Sequence, residues 1–149
     1  MSPLLVLLLL TPPDTSACLQ RLAGQWVGEG TSFSTTVRDV ATFEWGLGGR
    51  FLRITYRAEV GDSFAAEGYF WETGRDVRFQ EFSTAAPVRL LSGTCDGDSL
   101  VLDEIAEGKH IRLAFRFLDA ATMEMTETNL ARARPFIFVS LRFRKQPAN

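Results

Sequence analysis

The chain has 149 residues and a formal net charge of −2 at pH 7, and 46% of its residues are hydrophobic. This length fits one domain that buries a core without metal or disulfide staples. Its basic residues form no block and no apolar run reaches bilayer-spanning length. We therefore expect one globular domain with no nucleic-acid partner and no transmembrane span.

The first seventeen residues differ from the rest. Residues 4–10 form an unbroken apolar run, and residues 15–17 are small and come directly before Cys18. This order is typical of a secretory signal peptide, although residues 1–3 include no basic side chain. We expect residues 1–17 to be a signal peptide and the protein to be exported: periplasmic, secreted or lipid-anchored at Cys18. The alternative is a disordered leader on a cytoplasmic protein.

The two cysteines, Cys18 and Cys95, do not have the spacing of a metal site. Export would allow them to pair as a disulfide. The interpretation that the sequence favours is a buried thiol at Cys95 and a free or lipidated thiol at Cys18.

After the leader, a short helix capped by Asp14 or Thr15 is predicted through Leu22, ended by Gly24. Ten stretches of alternating apolar and polar residues follow, each closed by a turn. The predicted strands are 25–32, 36–45, 50–60, 64–71, 77–84, 88–95, 99–106, 110–118, 122–129 and 135–144.

All the predicted connections are short, so neighbouring strands should be antiparallel. A flat sheet of ten strands would leave two long edges, and closure removes them. We therefore expect residues 18–149 to be an all-β domain: a single antiparallel up-and-down barrel of about ten strands with a short N-terminal helix.

Side chains alternate along a strand, so parity predicts which residues face inward. In the last strand, Ile137, Val139, Leu141 and Phe143 share the predicted inner face. Three carboxylates share parity with aromatic or methionine residues instead of with other charges: Glu67, Glu81 and Glu127. A carboxylate on an apolar face is costly unless it is paired, hydrogen-bonded or hydrated, which predicts a partly polar cavity. The alternative is a strand-end position or a bulge that shifts parity.

Barrels of this strand number are wide enough to hold a small ligand. Ligand pockets combine apolar walls with a few polar groups. We therefore predict that a small hydrophobic or amphipathic molecule binds inside the barrel, although each large aromatic residue has the alternative role of filling it. The predicted ligand-binding residues are Phe43, Trp45, Tyr56, Glu67, Tyr69, Trp71, Phe79, Glu81, Met125 and Glu127.

The segment Gly24-Gln25-Trp26 resembles the G-x-W motif that opens the first strand of the lipocalin and calycin superfamily. This resemblance implies that Trp26 contacts an arginine near the end of the last strand, here Arg142 or Arg144. More widely, residues 19–144 resemble small bacterial lipocalin-like families of unknown function. Residues 22–28 are also similar to the L-x-G-x-W-x-G opening of nitrobindin-type haem-binding barrels.

The resemblance to nitrobindin-type barrels implies a histidine ligand for haem iron early in the last strand. Here that strand begins Pro135-Phe136-Ile137-Phe138. The single histidine of the chain, His110, is predicted on the polar face of the eighth strand. We therefore expect no haem and no other cofactor or metal.

Two other functions stay open. A barrel enzyme would need a desolvated carboxylate pair, for which Glu67 and Glu81 on adjacent strands are the candidates. This class is less favoured, because the sequence presents no nucleophile-and-base pair. A filled barrel would instead be an interaction or envelope-associated protein, with outward Phe82, Leu91 and Phe138 forming a homodimer patch. The size of the interior cavity distinguishes this alternative from ligand binding.

Overall fold

The computed structural model describes residues 17–61 and 63–149, so most of the predicted signal peptide lies outside the described residues. The helix α1 spans Ala17–Leu22. The strands are β1 (Gly24–Ser32), β2 (Thr35–Gly46), β3 (Phe51–Val60), β4 (Ala65–Thr73), β5 (Asp76–Ser83), β6 (Arg89–Asp96), β7 (Ser99–Ala106), β8 (Lys109–Phe117), β9 (Thr122–Asn129) and β10 (Phe136–Lys145). Within these ranges, no helix is long and apolar enough to cross a bilayer.

The ten strands form a closed antiparallel barrel. Each strand pairs with its neighbours in sequence, and β1 pairs with β10 to close the sheet. At this seam Gly28 faces Phe143, and a Cβ at Gly28 would lie 2.6 Å from the Phe143 ring. The glycine thus leaves the space that the aromatic ring fills. The predicted all-β, up-and-down barrel with a short N-terminal helix is confirmed.

One end of the barrel is packed solid, and we call it the closed end. There Leu19 and Leu22 of α1 are buried with Trp26 at the start of β1. The indole Nε1 of Trp26 donates a hydrogen bond of 2.7 Å to the carbonyl of Leu22. The helix is therefore the plug of the barrel, and burial of three large apolar side chains holds it in place.

A disulfide joins Cys18 of α1 to Cys95 of β6 at the closed end, with the Cα atoms 5.9 Å apart. The prediction of a free or lipidated Cys18 and a buried thiol at Cys95 is therefore wrong. Because α1 folds back over the barrel, residue 18 comes to lie beside the end of β6, a proximity that no spacing in the sequence reveals.

Trp26 is fully buried, but its cationic neighbour is Lys145 and not an arginine. The Nζ atom of Lys145 lies 5.2 Å from the ring centroid. Lys145 is the cross-strand partner of Trp26, so the two side chains lie on one face of the sheet. Arg142 points outward to Glu124, with 2.7 Å between nitrogen and oxygen, and Arg144 is exposed. The predicted contact with Arg142 or Arg144 is therefore wrong.

A register shift in β10 between Ile137 and Val139 changes which side chains face inward at the start of this strand. The predicted inward position of Ile137 and outward position of Phe138 are therefore wrong. Ile137 is 56% exposed, whereas Phe138 lies half-buried against the core. In β6, Leu91 is fully buried, although Phe82 of β5 is exposed as predicted. The outward patch of Phe82, Leu91 and Phe138 is therefore not formed, and homodimer formation stays a prediction.

Candidate functional site

The end of the barrel opposite α1 contains a cavity of about 620 Å³. Inward residues of the strands form its walls. Its rim comes from the connections at that end, including Phe33, Phe64, residues 84–86 and Arg132. The barrel is thus packed at the closed end and hollow at the rim.

Aromatic and aliphatic side chains form the floor of the cavity. Phe43 and Phe115 meet edge to face with their centroids 6.4 Å apart, and both line the space. Phe79 also lines it and stacks on Phe70 at 4.1 Å. Gly68 makes this stack possible, because a Cβ there would lie 2.6 Å from the Phe79 ring. The floor therefore offers ring faces and edges to an apolar molecule.

A network of charges occupies one wall near the rim, and we call it the Arg89 cluster. Five consecutive strands, β5 to β9, contribute one residue each: Glu81, Arg89, Glu104, Lys109 and Glu127. The Nη1 atom of Arg89 lies 3.2 Å from Glu81 Oε1 and 3.0 Å from Glu127 Oε1. Its Nε atom lies 3.2 Å from Glu104 Oε1, and Lys109 Nζ lies 2.8 Å from that oxygen.

Burial makes the Arg89 cluster electrostatically strong. The side chains of Arg89 and its three glutamates are only 11–16% exposed. Burial raises the pKa of Glu81, and although Arg89 opposes this rise, Glu127 adds to it. Burial disfavours the charged guanidinium of Arg89, but Glu127 and Glu81 outweigh this effect and raise the pKa of Arg89. Arg89 is therefore a permanent cation among three carboxylates.

The wall formed by β2 and β3 carries a second polar pair. The hydroxyl of Tyr56 donates a hydrogen bond to Oδ2 of Asp39, which is 4% exposed. Burial is the main cause that raises the pKa of Tyr56, followed by the hydrogen bond and charge of Asp39. The negative charges of Glu127 and Glu81 raise this pKa further, so the Arg89 cluster and the pair of Tyr56 and Asp39 interact electrostatically across the barrel. Tyr56 is therefore a protonated donor at neutral pH.

Most of the ligand-binding residues predicted from the sequence border this space. Phe43, Tyr56, Phe79, Glu81, Met125 and Glu127 line the cavity. Their contact with a ligand stays a prediction. The other four lie elsewhere: Trp45, Glu67, Tyr69 and Trp71.

Three of these four residues lie on β4, and they were misplaced because the inner face of that strand is the opposite one to the predicted face. The buried residues of β4 are Ala66, Gly68 and Phe70, so Glu67, Tyr69 and Trp71 lie on the outer surface. Glu67 pairs there with Arg53 at 2.8 Å, with both side chains nearly half exposed. The inward placement of these three residues was wrong, because β4 carries aromatic residues on both faces.

Trp45 does not line the cavity, for another reason. It shares the inward parity of Phe43 but lies near the closed end, partly buried against the core. Glu67 and Glu81 also cannot act as a catalytic pair, because they lie on opposite faces of the wall, with Gly68 as the cross-strand partner of Glu81.

The sequence reasoning missed four charged residues of the cavity walls, Asp39, Arg89, Glu104 and Lys109, and a fifth, Arg132, at the rim. For two of them, the alternation of side chains along the strand indicates an inward face. Asp39 alternates with buried Val37 and Ala41, and Glu104 follows buried Leu102. Arg89 and Lys109 begin their strands, where alternation has too few neighbours to indicate a face.

His110 lies in a different environment from the cavity. Its Nε2 atom lies 3.2 Å from Oδ2 of Asp103, and its side chain is 32% exposed. Arg112 is the main cause that lowers the pKa of Asp103, and His110 contributes. Within the described ranges, no group of three or more histidine, cysteine, aspartate or glutamate residues is placed to hold a metal ion.

The chain matches no protein-family model and has no significant match among curated proteins. Among solved structures, the crystal structure of Rv2717c from M. tuberculosis matches with a TM-score of 0.66 and 18% identity, over 90% of this chain and 100% of that one. A redesigned β-barrel, mFAP1, bound to DFHBI, has a TM-score of 0.45 and 10% identity, over 88% and 100% of the respective chains. The likeness to Rv2717c shows the fold, a small closed β-barrel.

Proposed function

We propose that residues 18–149 form a lipocalin-like barrel that binds a small, partly apolar molecule in its interior. The observation that carries this proposal is the cavity of about 620 Å³ at the rim. Its volume falls within the range of about 300–1,000 Å³ that is typical of small-molecule sites. A filled barrel that acts only through its surface has no need of such a space.

The composition of the cavity supports the same proposal. Protein interiors normally pack to crystal-like density, and an unfilled space costs stability because its walls lose contacts. Here the closed end is filled by side chains, with Trp26, Leu22 and Leu52 fully buried. A ligand would recover the missing contacts at the other end by covering the apolar floor.

Native mass spectrometry of the protein purified from its own host tests the proposal directly. We expect a discrete extra mass that disappears on denaturation, and that mass defines the ligand class. A neutral aromatic probe, 2-(1-naphthyl)ethanol, tests the cavity independently by fluorescence titration. An apo mass together with no probe binding up to about 1 mM would contradict the proposal.

A cavity-filling variant localises the binding. Ala41 is buried and lines the cavity, so Ala41→Leu takes up space that the probe needs. Thr42→Leu on the outer face of β2 is the matched control. We expect Ala41→Leu to weaken probe binding about tenfold and Thr42→Leu to leave it unchanged. Circular dichroism verifies that both variants fold, and Ala66→Leu is a second filling variant.

We also propose that the protein is exported. The apolar run and small residues before Cys18 support export, and so does the Cys18–Cys95 disulfide, because disulfides persist in oxidising compartments. The disulfide speaks against a lipid anchor, since the same sulfur atom cannot carry both links. Cell fractionation together with the intact mass of the mature protein tests this proposal, and a reduced cytoplasmic form would contradict it.

A further inference from the structure

The charges that line the cavity have an excess of negative sign. Four carboxylates face it: Asp39, Glu81, Glu104 and Glu127. The cations among the described lining residues are Arg89, Lys109 and Arg132, and Arg132 belongs to the exposed rim. Lys109 is also exposed, at 46%, so the buried walls place four carboxylates against Arg89, with two cations nearer the solvent.

The inward arginine is already engaged. Arg89 directs Nη1 to Glu81 and Glu127 and Nε to Glu104, and all four side chains are nearly buried. An anionic ligand would have to displace one of these carboxylates and would meet the repulsion of the others. Coulomb interactions of this kind are several times stronger in a protein interior than in water. Arg142 and Arg144 point outward, Lys109 is paired with Glu104, and Arg132 lies exposed at the rim, so none of them offers an acidic lipid a buried cation.

We propose that the ligand of this cavity is an amphipathic cation, with an apolar, preferably aromatic body on the phenylalanine floor and one ammonium or amidinium group between Glu81, Glu127 and Asp39. This inference rests on the proposed function and adds the charge of the ligand to it. The cationic group would bring the excess negative charge close to balance, and its donors match the acceptor-only carboxylates.

Two further features support a cation. The rings of Phe43, Phe79 and Phe115 line the space, and aromatic faces attract cations. Burial raises the pKa of Glu81 despite the neighbouring Arg89, so the ionised carboxylate is incompletely compensated by the protein itself. Tyr56 is protonated and already donates to Asp39, which leaves its oxygen able to accept a hydrogen bond from an ammonium group.

Three probes with the same ring system test the sign of the ligand charge: 2-(1-naphthyl)ethylamine, 2-(1-naphthyl)ethanol and 1-naphthylacetate. Their dissociation constants are measured by fluorescence or calorimetry at pH 7. We expect the amine to bind about tenfold tighter than the alcohol, and the carboxylate to bind weaker than the alcohol. Binding of the alcohol tests the proposed function, and the ranking of the charged probes tests this inference.

Failure of this inference and failure of the proposed function give different results with the three probes. If the alcohol binds and the amine has no advantage over it, or if the carboxylate binds as tightly as the amine, the inference is overturned while ligand binding stands. If all three probes fail to bind up to about 1 mM, the proposed function fails and the inference fails with it.

Isosteric variants locate the charge that the amine recognises. Glu127→Gln keeps the shape of the cluster but removes one carboxylate, so the ratio of alcohol to amine dissociation constants should fall towards one. Glu81→Gln should act in the same direction. Glu67→Gln, on the outer face of β4, is the matched control and should keep the wild-type ratio. An amine preference that survives in both cavity variants would overturn the assignment to this wall.

Discussion

Nη1 of Arg89 lies 3.0 Å from Oε1 of Glu127, although 38 residues separate them in the chain. The same guanidinium also contacts Glu81 and Glu104, so one cation is shared by three carboxylates from three different strands. Arg89→Leu would leave Glu81 and Glu127 buried and unpaired, and Glu104 with Lys109 as its remaining partner. We expect it to lower the free energy of unfolding by about 3–5 kcal/mol at pH 7, measured by urea denaturation.

Arg53→Leu is the matched control for that variant. Arg53 forms an ion pair of similar length with Glu67, but both side chains are nearly half exposed. Exposed pairs contribute about 0–1 kcal/mol, so this variant should cost much less. Equal losses in the two variants would show that burial does not strengthen the Arg89 cluster.

Glu81 gives a pH dependence with a defined sign. Its pKa lies above the ordinary value of 4.5, chiefly because the side chain is buried. The folded protein therefore binds this proton more tightly than the unfolded chain. The resulting stability is complete below pH 4.5 and is lost as the pH rises through the folded pKa. Glu81→Gln should thus gain stability relative to the wild type between pH 4.5 and pH 7 in urea denaturation series.

Groups on several strands set the pKa of Glu81, and Asp103, whose pKa is shifted in the opposite direction, provides the control. Arg89 of β6, Glu104 of β7 and Glu127 of β9 act on Glu81, and the charge of Glu81 acts on Tyr56 of β3. Asp103 has a lowered pKa, mainly because of its hydrogen bond with Arg112. Its stabilising contribution is present above its ordinary value of 3.8 and is lost as the pH falls, so Asp103→Asn should give the reverse trend. Parallel profiles for the two variants would refute the assignment.

The disulfide gives a prediction about stability without an effect on the cavity. Cys18 and Cys95 are 77 residues apart, so their link removes much conformational freedom from the unfolded chain. Cys95→Ala should lower the free energy of unfolding by about 2–5 kcal/mol. Reductant should destabilise the wild type by a similar amount and leave this variant unaffected. Because the disulfide lies at the closed end, the affinity for the naphthyl probes should change less than about twofold.

Gly68 is predicted to tolerate no side chain. A Cβ there would lie 2.6 Å from both the Phe79 ring and the carbonyl oxygen of Gln80. Gly68→Ala should therefore disturb the stack of Phe79 on Phe70 and cost about 1–3 kcal/mol. Gly46→Ala is the control, since a Cβ at Gly46 meets no atom within 4 Å among the described residues. Thermal unfolding of both variants measures the difference, and equal midpoints would contradict the prediction.

The fold was predictable because its signals are local and repeated. Alternation marks each strand, and glycines with positive φ, such as Gly74, Gly97 and Gly108, mark the turns between them. Ten independent signals of this kind agree on one meander, so an error of one or two residues at a strand end does not change the architecture.

The site was only partly predictable because its faces depend on details that alternation does not contain. In β4, Trp71 and Tyr69 are as large as the inward Phe70, so size and polarity do not identify the inner face. Trp71 instead packs on the outer surface near Phe51, with the centroids 6.3 Å apart. In β10, the register shift reverses the roles of Ile137 and Phe138.

The Arg89 cluster could not be predicted from the sequence for a different reason. Its members extend from residue 81 to residue 127, and their meeting depends on the barrel closing with the observed register. Glu81 and Glu127 were found by parity, but the arginine that compensates them starts a strand after an irregular connection. Its partners become visible only when five strands are placed side by side.

The first and last elements of the described residues meet at the same end of the barrel. Ala17 begins the helix that fills the closed end, and the Nζ atom of Lys145, at the end of β10, lies 3.5 Å from the carbonyl of Arg21 in that helix. The rim is at the far side of the molecule. A bead, a fluorescent fusion or a sensor surface attached through the C-terminus would therefore leave the opening of the barrel facing the solution, ready for a ligand to enter.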